Sequence, residues 1–278
     1  MNTVRHRPAS RFARVVVGVL FAVATSAQAA GEHVRVAVIG GVKMCGVWDH
    51  LAPRIEAATG FVIDTVAAAP KEGVVPVFRH GDADLLLIHG SDESLALAYK
   101  SISGPLRVWG ANEHVIVGPD DDPAHVAEAT SGADALRRIA EAKAPMVAFR
   151  DPGSHGVLQR LLRHSGVEPS ADWLIVDTLP DVHDVLRFAS ERHAYVIVGH
   201  IPVAFWKLRG EGMRVLLKGD PSMRRPYVVL EPGPRHPADD AARGRARIVA
   251  DFLVSPAGQA ALRAADHEAG GPWVFPLP

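Results

Sequence analysis

The sequence has almost no cysteine and no concentrated run of basic residues. Cys45 is the only cysteine among 278 residues, so no disulfide can form within the chain and stability must come from a hydrophobic core. Four of the 30 basic residues lie in the first 14 positions, which leaves 26 basic against 31 acidic residues in the remainder. Phosphate binding by nucleic-acid partners needs clustered lysine or arginine, so we expect no nucleic-acid partner.

Long hydrophobic runs are also missing. The longest apolar run, residues 15–24, is about half of the roughly 20 residues that span a bilayer. It follows the basic residues 1–14 and precedes Ala-Gln-Ala at 27–29, the small residues of a cleavage site. The pattern predicts a secretory signal peptide over residues 1–29, rather than a membrane anchor, and a soluble periplasmic protein after cleavage.

The composition and the order of apolar patterns indicate a globular α/β protein. With 48% hydrophobic and 22% charged residues, the chain is neither disordered, collagen-like nor a coiled coil. A β-branched strand at 34–39, the glycines at 40 and 41 and a helix at 47–58 form a strand–loop–helix unit. Related units recur at residues 84–99 and 146–164, which predicts mostly parallel sheets flanked by helices.

Two short β-rich segments suggest how the chain is divided. Residues 114–117 and 227–230 lie far apart, and a proline follows each within two residues. We interpret them as paired hinge crossovers between two lobes, since a chain that leaves a lobe and returns needs two connections. Lobe one would comprise residues 30–113 plus 232–278, and lobe two would be residues 114–231, inserted between them. Ligands of such sheets bind in the cleft between the lobes.

Four segments form a recognisable series: EHVIVGP at 113–119, ADALRRIAEAKAP at 133–145, ASERHAY at 189–195 and SPAGQA at 255–260. Together they resemble the periplasmic tungstate-binding proteins of ATP-binding-cassette importers. The resemblance continues at 81–89 and 219–221, so it covers most of the mature chain. It implies a two-lobed type II solute-binding fold that captures an oxyanion, tungstate or molybdate, in its cleft. The same resemblance implies delivery of that anion to a membrane permease.

The ligand loops depart from the family pattern. Where the family has Thr-Thr-Thr-Ser after the first strand, this chain has Val-Ile followed by Gly40 and Gly41, so the hydroxyls are absent. Cys45 replaces a serine at the start of the next helix. His200 replaces the arginine of a Thr-Asp-Arg motif, which exchanges a permanent cation for a titratable imidazole. These substitutions predict that the loop after the first strand and the position of His200 offer the ligand different donors from those of the family.

A second family motif, an arginine before Ser-Gly-Thr-His, survives in part at residues 150–155. Arg150 either clamps the anion or forms an ion pair with a neighbouring carboxylate. Ser91 and Ser154 either donate hydroxyls to the ligand or cap their helices. The glycines of the first loop either contact the anion or form an ordinary turn. The resulting candidate ligand-binding residues are Gly40, Gly41, Cys45, Ser91, Arg150, Ser154, His155 and His200.

Other functions have weaker support in the sequence. Met44, Cys45, His89, His155 and His200 fall in or near the same loops, which leaves a transition metal or metal complex as an alternative ligand. A periplasmic sensor would use the same closure as an importer. Neither a nucleophile elbow nor a phosphate-binding loop is present, so we expect no enzyme activity and no cofactor. We expect a monomer that docks on a permease.

Overall fold

The computed structural model describes Met1, residues 32–205 and residues 209–278. The predicted signal peptide, apart from Met1, lies outside the described residues. Within the described part of the chain, no helix combines the length and the apolar character that a membrane crossing requires.

Ten strands and ten α-helices alternate along this part of the chain. The strands are β1 His33–Ile39, β2 Val62–Ala69, β3 Leu85–His89, β4 Arg107–Pro119, β5 Met146–Ala148, β6 Leu174–Val176, β7 Tyr195–Gly199, β8 Met213–Leu217, β9 Arg224–Leu230 and β10 Val274–Phe275. The helices are α1 Gly40–Met44, α2 Val47–Thr59, α3 Lys71–His80, α4 Asp92–Tyr99, α5 Gly132–Glu141, α6 Pro152–Ser165, α7 Val185–Ser190, α8 His200–Ala204, α9 Asp240–Val254 and α10 Pro256–Glu268.

These strands form one sheet in the order β2-β1-β3-β9-β4-β7-β5-β6, and β8 and β10 also pair with β4. β1 pairs in parallel with β2 and β3, and β5 with β6 and β7, as expected of strands joined through helices. The α/β class is confirmed. The sheet, predicted to be mostly parallel, is mixed, because β4 and β9 run between its two ends and pair antiparallel with every neighbour.

The two crossover segments lie in β4 and β9 but do not pair with each other. Residues 107–113 of β4 pair with residues 224–229 of β9. Residues 114–117 continue along β4 to pair with β7, whereas residues 227–230 pair with β3. The two strands are therefore joined through the first half of β4. The lobe boundaries at 113/114 and 231/232 stay a prediction.

Three clusters of buried side chains flank the sheet. The largest packs β1, β3 and β9 against α2, α9 and α10. The other two lie on opposite faces of the β4–β7 region, where Ile116 enters one cluster and Val115 and Val117 enter the other. Alternate residues of a strand point to opposite faces, so β4 contributes to both cores at once. This packing fixes the strand that carries His114.

The SPAGQA segment has a structural role. Ser255 caps α10 by accepting a hydrogen bond from the Gly258 amide at 3.1 Å. The side chain of Gln259, 6% exposed, donates to the carbonyls of Trp109 and Leu253 at 2.9 and 2.7 Å. Its oxygen accepts from the Leu277 amide at 2.6 Å. Gln259 thereby ties α10 to β4 and to the chain terminus.

Replacing Gln259 with methionine should lower the free energy of unfolding by about 2 kcal/mol, since buried backbone groups lose their hydrogen-bond partners while the side-chain length is kept. Denaturant titration measures this loss. Arg263→Met, at an exposed position of the same helix, is the matched control and should change stability by less than about 0.5 kcal/mol. Equal stability of the two variants would contradict the role assigned to Gln259.

Candidate functional site

The loop predicted after β1 is the start of a short helix. Gly40 and Gly41 form the first turn of α1, where backbone N–H groups have no partner within the helix. A Cβ on Gly41 would lie 3.6 Å from the hydroxyl oxygen of Tyr227 and 4.0 Å from Ile201 of α8. The helix start therefore faces a tyrosine that sequence analysis left out of the site.

Tyr227 is held rigidly from both sides. Its side chain is 1% exposed, and its ring stacks on His89 with centroids 4.8 Å apart and on Trp109 with centroids 5.6 Å apart. His89 and Tyr227 are direct cross-strand neighbours on β3 and β9. Desolvation raises the pKa of the Tyr227 hydroxyl, so it stays protonated and is a hydrogen-bond donor at neutral pH.

A cavity of about 480 Å³ lies beside Arg225 and Pro226, the two residues that precede this tyrosine on β9. It is lined by the starts of α3 and α4 on one side, by α6 on the other, and by Arg225 and Pro226 of β9. Four basic and two acidic side chains line the cavity, which gives it a positive excess. They are Lys71, Arg160, Arg163 and Arg225, with Asp92 and Glu93.

Arg225 is the cation in this cavity closest to the helix start of α6. It lies two residues before Tyr227 on β9, so both side chains are on one face of the sheet. A Cβ on Gly153 would be only 2.6 Å from its guanidinium nitrogen Nη1. Among the described residues, no carboxylate oxygen lies within 4.0 Å of this guanidinium. Desolvation lowers the pKa of Arg225, although the carboxylate of Asp151 acts against this shift.

Two histidines beside Arg225 are neutral at physiological pH. His114 is 3% exposed, and its Nε2 would lie 3.1 Å from a Cβ on Gly153. Burial, with the charges of Arg225 and Arg160, lowers the pKa of His114 to about 4, although the carboxylate of Asp151 acts against this. Desolvation and the charge of Arg225 also lower the pKa of His89 well below its ordinary value. The positive charge of the site thus comes from arginine.

The helix starts explain the roles of the two predicted serines. α6 begins at Pro152 and is capped by Asp151, whose carboxylate accepts from the Ser154 amide at 2.9 Å. Ser154 itself is 2% exposed and lies inside the first turn, whereas His155 is exposed. Ser91 is the N-cap residue of α4 and lines the cavity. Only Ser91, of these three predicted ligand residues, is at the cavity wall.

Arg150 and His200 each lie beside a buried carboxylate. The Arg150 side chain is 49% exposed, and its Nε is 3.7 Å from Asp177 Oδ2. His200 opens α8, and its Nδ1 is 3.4 Å from Glu113 Oε2, a carboxylate that is 2% exposed. Both positions therefore have a negative neighbour within the protein, and their assignment to the ligand site stays a prediction.

Cys45 lies in the hydrophobic core. It is 3% exposed, its Sγ is 3.5 Å from the carbonyl oxygen of Val42, and desolvation raises the pKa of the thiol to about 11. A neutral buried thiol is a poor ligand for an anion or a metal. Across the described residues, no group of three histidine, cysteine, aspartate or glutamate side chains could hold a metal ion.

Sequence analysis overlooked the two β9 residues that shape the site. Residues 227–230 were interpreted only as a crossover strand, and neither Arg225 nor Tyr227 was among the predicted ligand residues. The available signal was a pair of arginines, at 224 and 225, just before the predicted crossover strand. Charged residues at such a position lie next to the cleft rather than in a core.

No protein-family model matches the sequence. Described proteins of similar sequence were found. The chain is 28% identical over 240 residues to a Haloferax volcanii protein named as an ABC transporter anion-binding protein, across 83% of this chain and 67% of the relative. It is 25% identical over 195 residues to the tungstate-binding protein TupA of Peptoclostridium acidaminophilum, across 68% and 66%. The matches thus cover about two thirds of the length of each relative.

A solved structure agrees in fold. The tungstate-binding protein TupA from Desulfovibrio alaskensis superimposes with a TM-score of 0.66 over 88% of this chain and 99% of that chain, at 20% identity. The resemblance predicted from the sequence motifs is therefore confirmed: the chain is similar over most of its length to anion-binding and tungstate-binding proteins of ABC transporters, and it has the type II fold of periplasmic binding proteins.

Proposed function

We propose that this chain is an extracytoplasmic solute-binding protein that captures a small oxyanion and delivers it to the permease of an ATP-binding-cassette importer. Its relatives are binding proteins rather than enzymes. In this proposal residues 1–29 direct export to the periplasm. Residues 30–113 with 232–278, and residues 114–231, are the two lobes that close on the ligand.

The observation that carries the proposal is the guanidinium of Arg225, which has no carboxylate oxygen within 4.0 Å among the described residues. It is partly buried and lies at the positive end of the 14-residue helix α6, in a cavity with a basic excess. Such a charge is unfavourable without a negative partner. An oxyanion supplies that partner through two parallel charge-assisted hydrogen bonds, the geometry that a guanidinium provides.

Neutral donors complete the proposed site. The hydroxyl of Tyr227 lies beside Gly41, where the sequence lacks the family's threonine and serine hydroxyls. Its ring is fixed by stacking on both faces, so donation to the ligand costs little side-chain entropy. We place the anion against Arg225 and Tyr227, with the backbone amides of Gly40 and Gly41 and the hydroxyl of Ser91 as further donors.

Closure of the lobes would raise affinity by excluding water from these hydrogen bonds. β9 presents Arg225 to the start of α6 at Gly153, and it presents Tyr227 to the start of α1 at Gly41. In a dry cleft the same charge-assisted bonds are stronger than in water. The ligand thus favours the closed form, which is the form that a permease distinguishes.

Calorimetric titration tests the proposed function. The protein from Ala30 on, freed of ligand by unfolding and refolding, is titrated with tungstate, molybdate, sulfate, phosphate and pyrophosphate, and separately with zinc, copper and nickel salts. We expect submicromolar binding of at least one oxyanion and no such binding of a metal cation. A folded protein that binds none of these anions, or that binds a metal cation more tightly, would contradict the proposal.

A further inference from the structure

Arginines without counter-charges are concentrated in the cavity beside Tyr227. Within the described part of the chain, no carboxylate oxygen lies within 4.0 Å of the guanidinium of Arg160, Arg163 or Arg225. Lys71, in the same cavity, is neutralised by Glu93 at 2.6 Å. The arginines are therefore the cations of this cavity that have no ion-pair partner among the described residues.

Arg160 and Arg163 form a second cationic position, distinct from Arg225. They lie three residues apart on α6 and hence on adjacent turns of one helix face. Arg160 donates a hydrogen bond to the carbonyl oxygen of Arg224 at 3.2 Å, and Arg163 is exposed. Arg225 approaches the same helix from β9 at Gly153, two turns earlier. The cavity thus has cations at two separated points.

The cavity is larger than one tetrahedral ion needs. Four oxygen-sized atoms at about 30 Å³ each, the share of a water molecule in the liquid, occupy about 120 Å³. The cavity has about 480 Å³. Its net positive charge is also more than a single guanidinium supplies, because two acidic side chains face four basic ones. Size and charge both fit an anion with two charged groups.

We infer that the cleft binds a condensed oxyanion, two tetrahedral groups joined through a bridging oxygen, with one group at Arg225 and Tyr227 and the other at Arg160 and Arg163. This inference rests on the proposed function and narrows its ligand. A condensed phosphate carries negative charge on both of its terminal groups. Each terminal group presents several oxygens to a planar guanidinium, which suits bidentate hydrogen bonding.

The test compares pyrophosphate with single tetrahedral ions by calorimetry, without divalent metals and at constant ionic strength. We expect pyrophosphate to bind at least tenfold more tightly than phosphate, sulfate, tungstate or molybdate. The double variant Arg160→Ala/Arg163→Ala should lose at least tenfold in pyrophosphate affinity. Its affinity for the tightest single ion should change by less than threefold, because that ion needs only the first position.

Matched variants separate this effect from general charge and folding. Arg137→Ala/Arg247→Ala removes two exposed arginines outside the cavity and should leave both affinities within twofold. Arg160→Lys/Arg163→Lys keeps the charge and should recover part of the pyrophosphate affinity. Tighter binding of a single ion, or an equal loss for both ligands, would overturn the inference while leaving the proposed function in place. If the folded protein binds no anion, both fail.

Discussion

Replacing Arg225 with alanine should weaken oxyanion binding at least 100-fold. The guanidinium is partly buried, has no carboxylate within 4.0 Å among the described residues, and lies against the start of α6. Loss of its bidentate bond to an anion in a closed cleft is expected to cost about 3 kcal/mol, which corresponds to roughly 100-fold in Kd. Calorimetric titration with the tightest-binding oxyanion measures the change.

The same substitution should not destabilise the ligand-free protein. Since no carboxylate of the described residues lies within 4.0 Å of Arg225 and its charge is desolvated, its removal relieves an unfavourable charge. The unfolding free energy should stay equal or rise. Arg225→Lys keeps the charge without the bidentate geometry and should lie between the wild type and the alanine variant. If a folded Arg225→Ala variant binds the oxyanion within threefold of the wild-type affinity, Arg225 does not contact the ligand.

Arg150→Ala separates the two interpretations of Arg150 that the sequence leaves open. If this side chain clamps the anion, affinity should fall at least tenfold. If its 3.7 Å contact with Asp177 is its only role, the affinity stays unchanged and the buried Asp177 carboxylate loses its partner. The measurement is the same titration, so Arg225→Ala and Arg150→Ala can be compared directly.

The fold was largely predictable because most helices follow the apolar pattern. α2 begins at Val47 and ends before Gly60, whose φ of 76° suits the predicted glycine cap. α1 and α3 were missed since both contain residues that disfavour helix: Gly40 and Gly41 open α1, and Pro76 lies inside α3. Such short elements form because packing on the sheet outweighs local propensity.

The site was less predictable because its parts meet only through the sheet. His89 and Tyr227 are 138 positions apart in the sequence yet pair directly across β3 and β9. Periodicity marks which face of a strand is buried but not which strand lies beside it. Family motifs pointed to the loops at 40–45 and 150–155, and of these residues only Pro152 and Gly153 line the cavity beside Arg225. They gave no indication of Arg225, because it lies outside every motif that carried the resemblance.

Stability should fall as the pH drops below 6.5, and His114 is one of the buried histidines that cause the loss. The pKa of His114 is about 4 in the folded protein, mainly because the side chain is buried. In the unfolded chain the pKa is about 6.5. Between these values the unfolded state binds a proton that the folded state does not, so acid favours unfolding. The contribution of His114 is complete above pH 6.5 and is lost as the pH falls toward 4. The expected loss is about 2 kcal/mol between pH 7 and pH 5.

Denaturant titration at pH 7 and pH 5 measures this loss, and His114→Phe isolates it. Phenylalanine fills a similar volume in β4 but takes up no proton. The variant should therefore lose about 2 kcal/mol less than the wild type over the same interval. A residual loss in the variant is expected, since desolvation also lowers the pKa values of His89 and His236. Identical losses in both proteins would mean that His114 accepts a proton as readily in the folded cleft as in the unfolded chain.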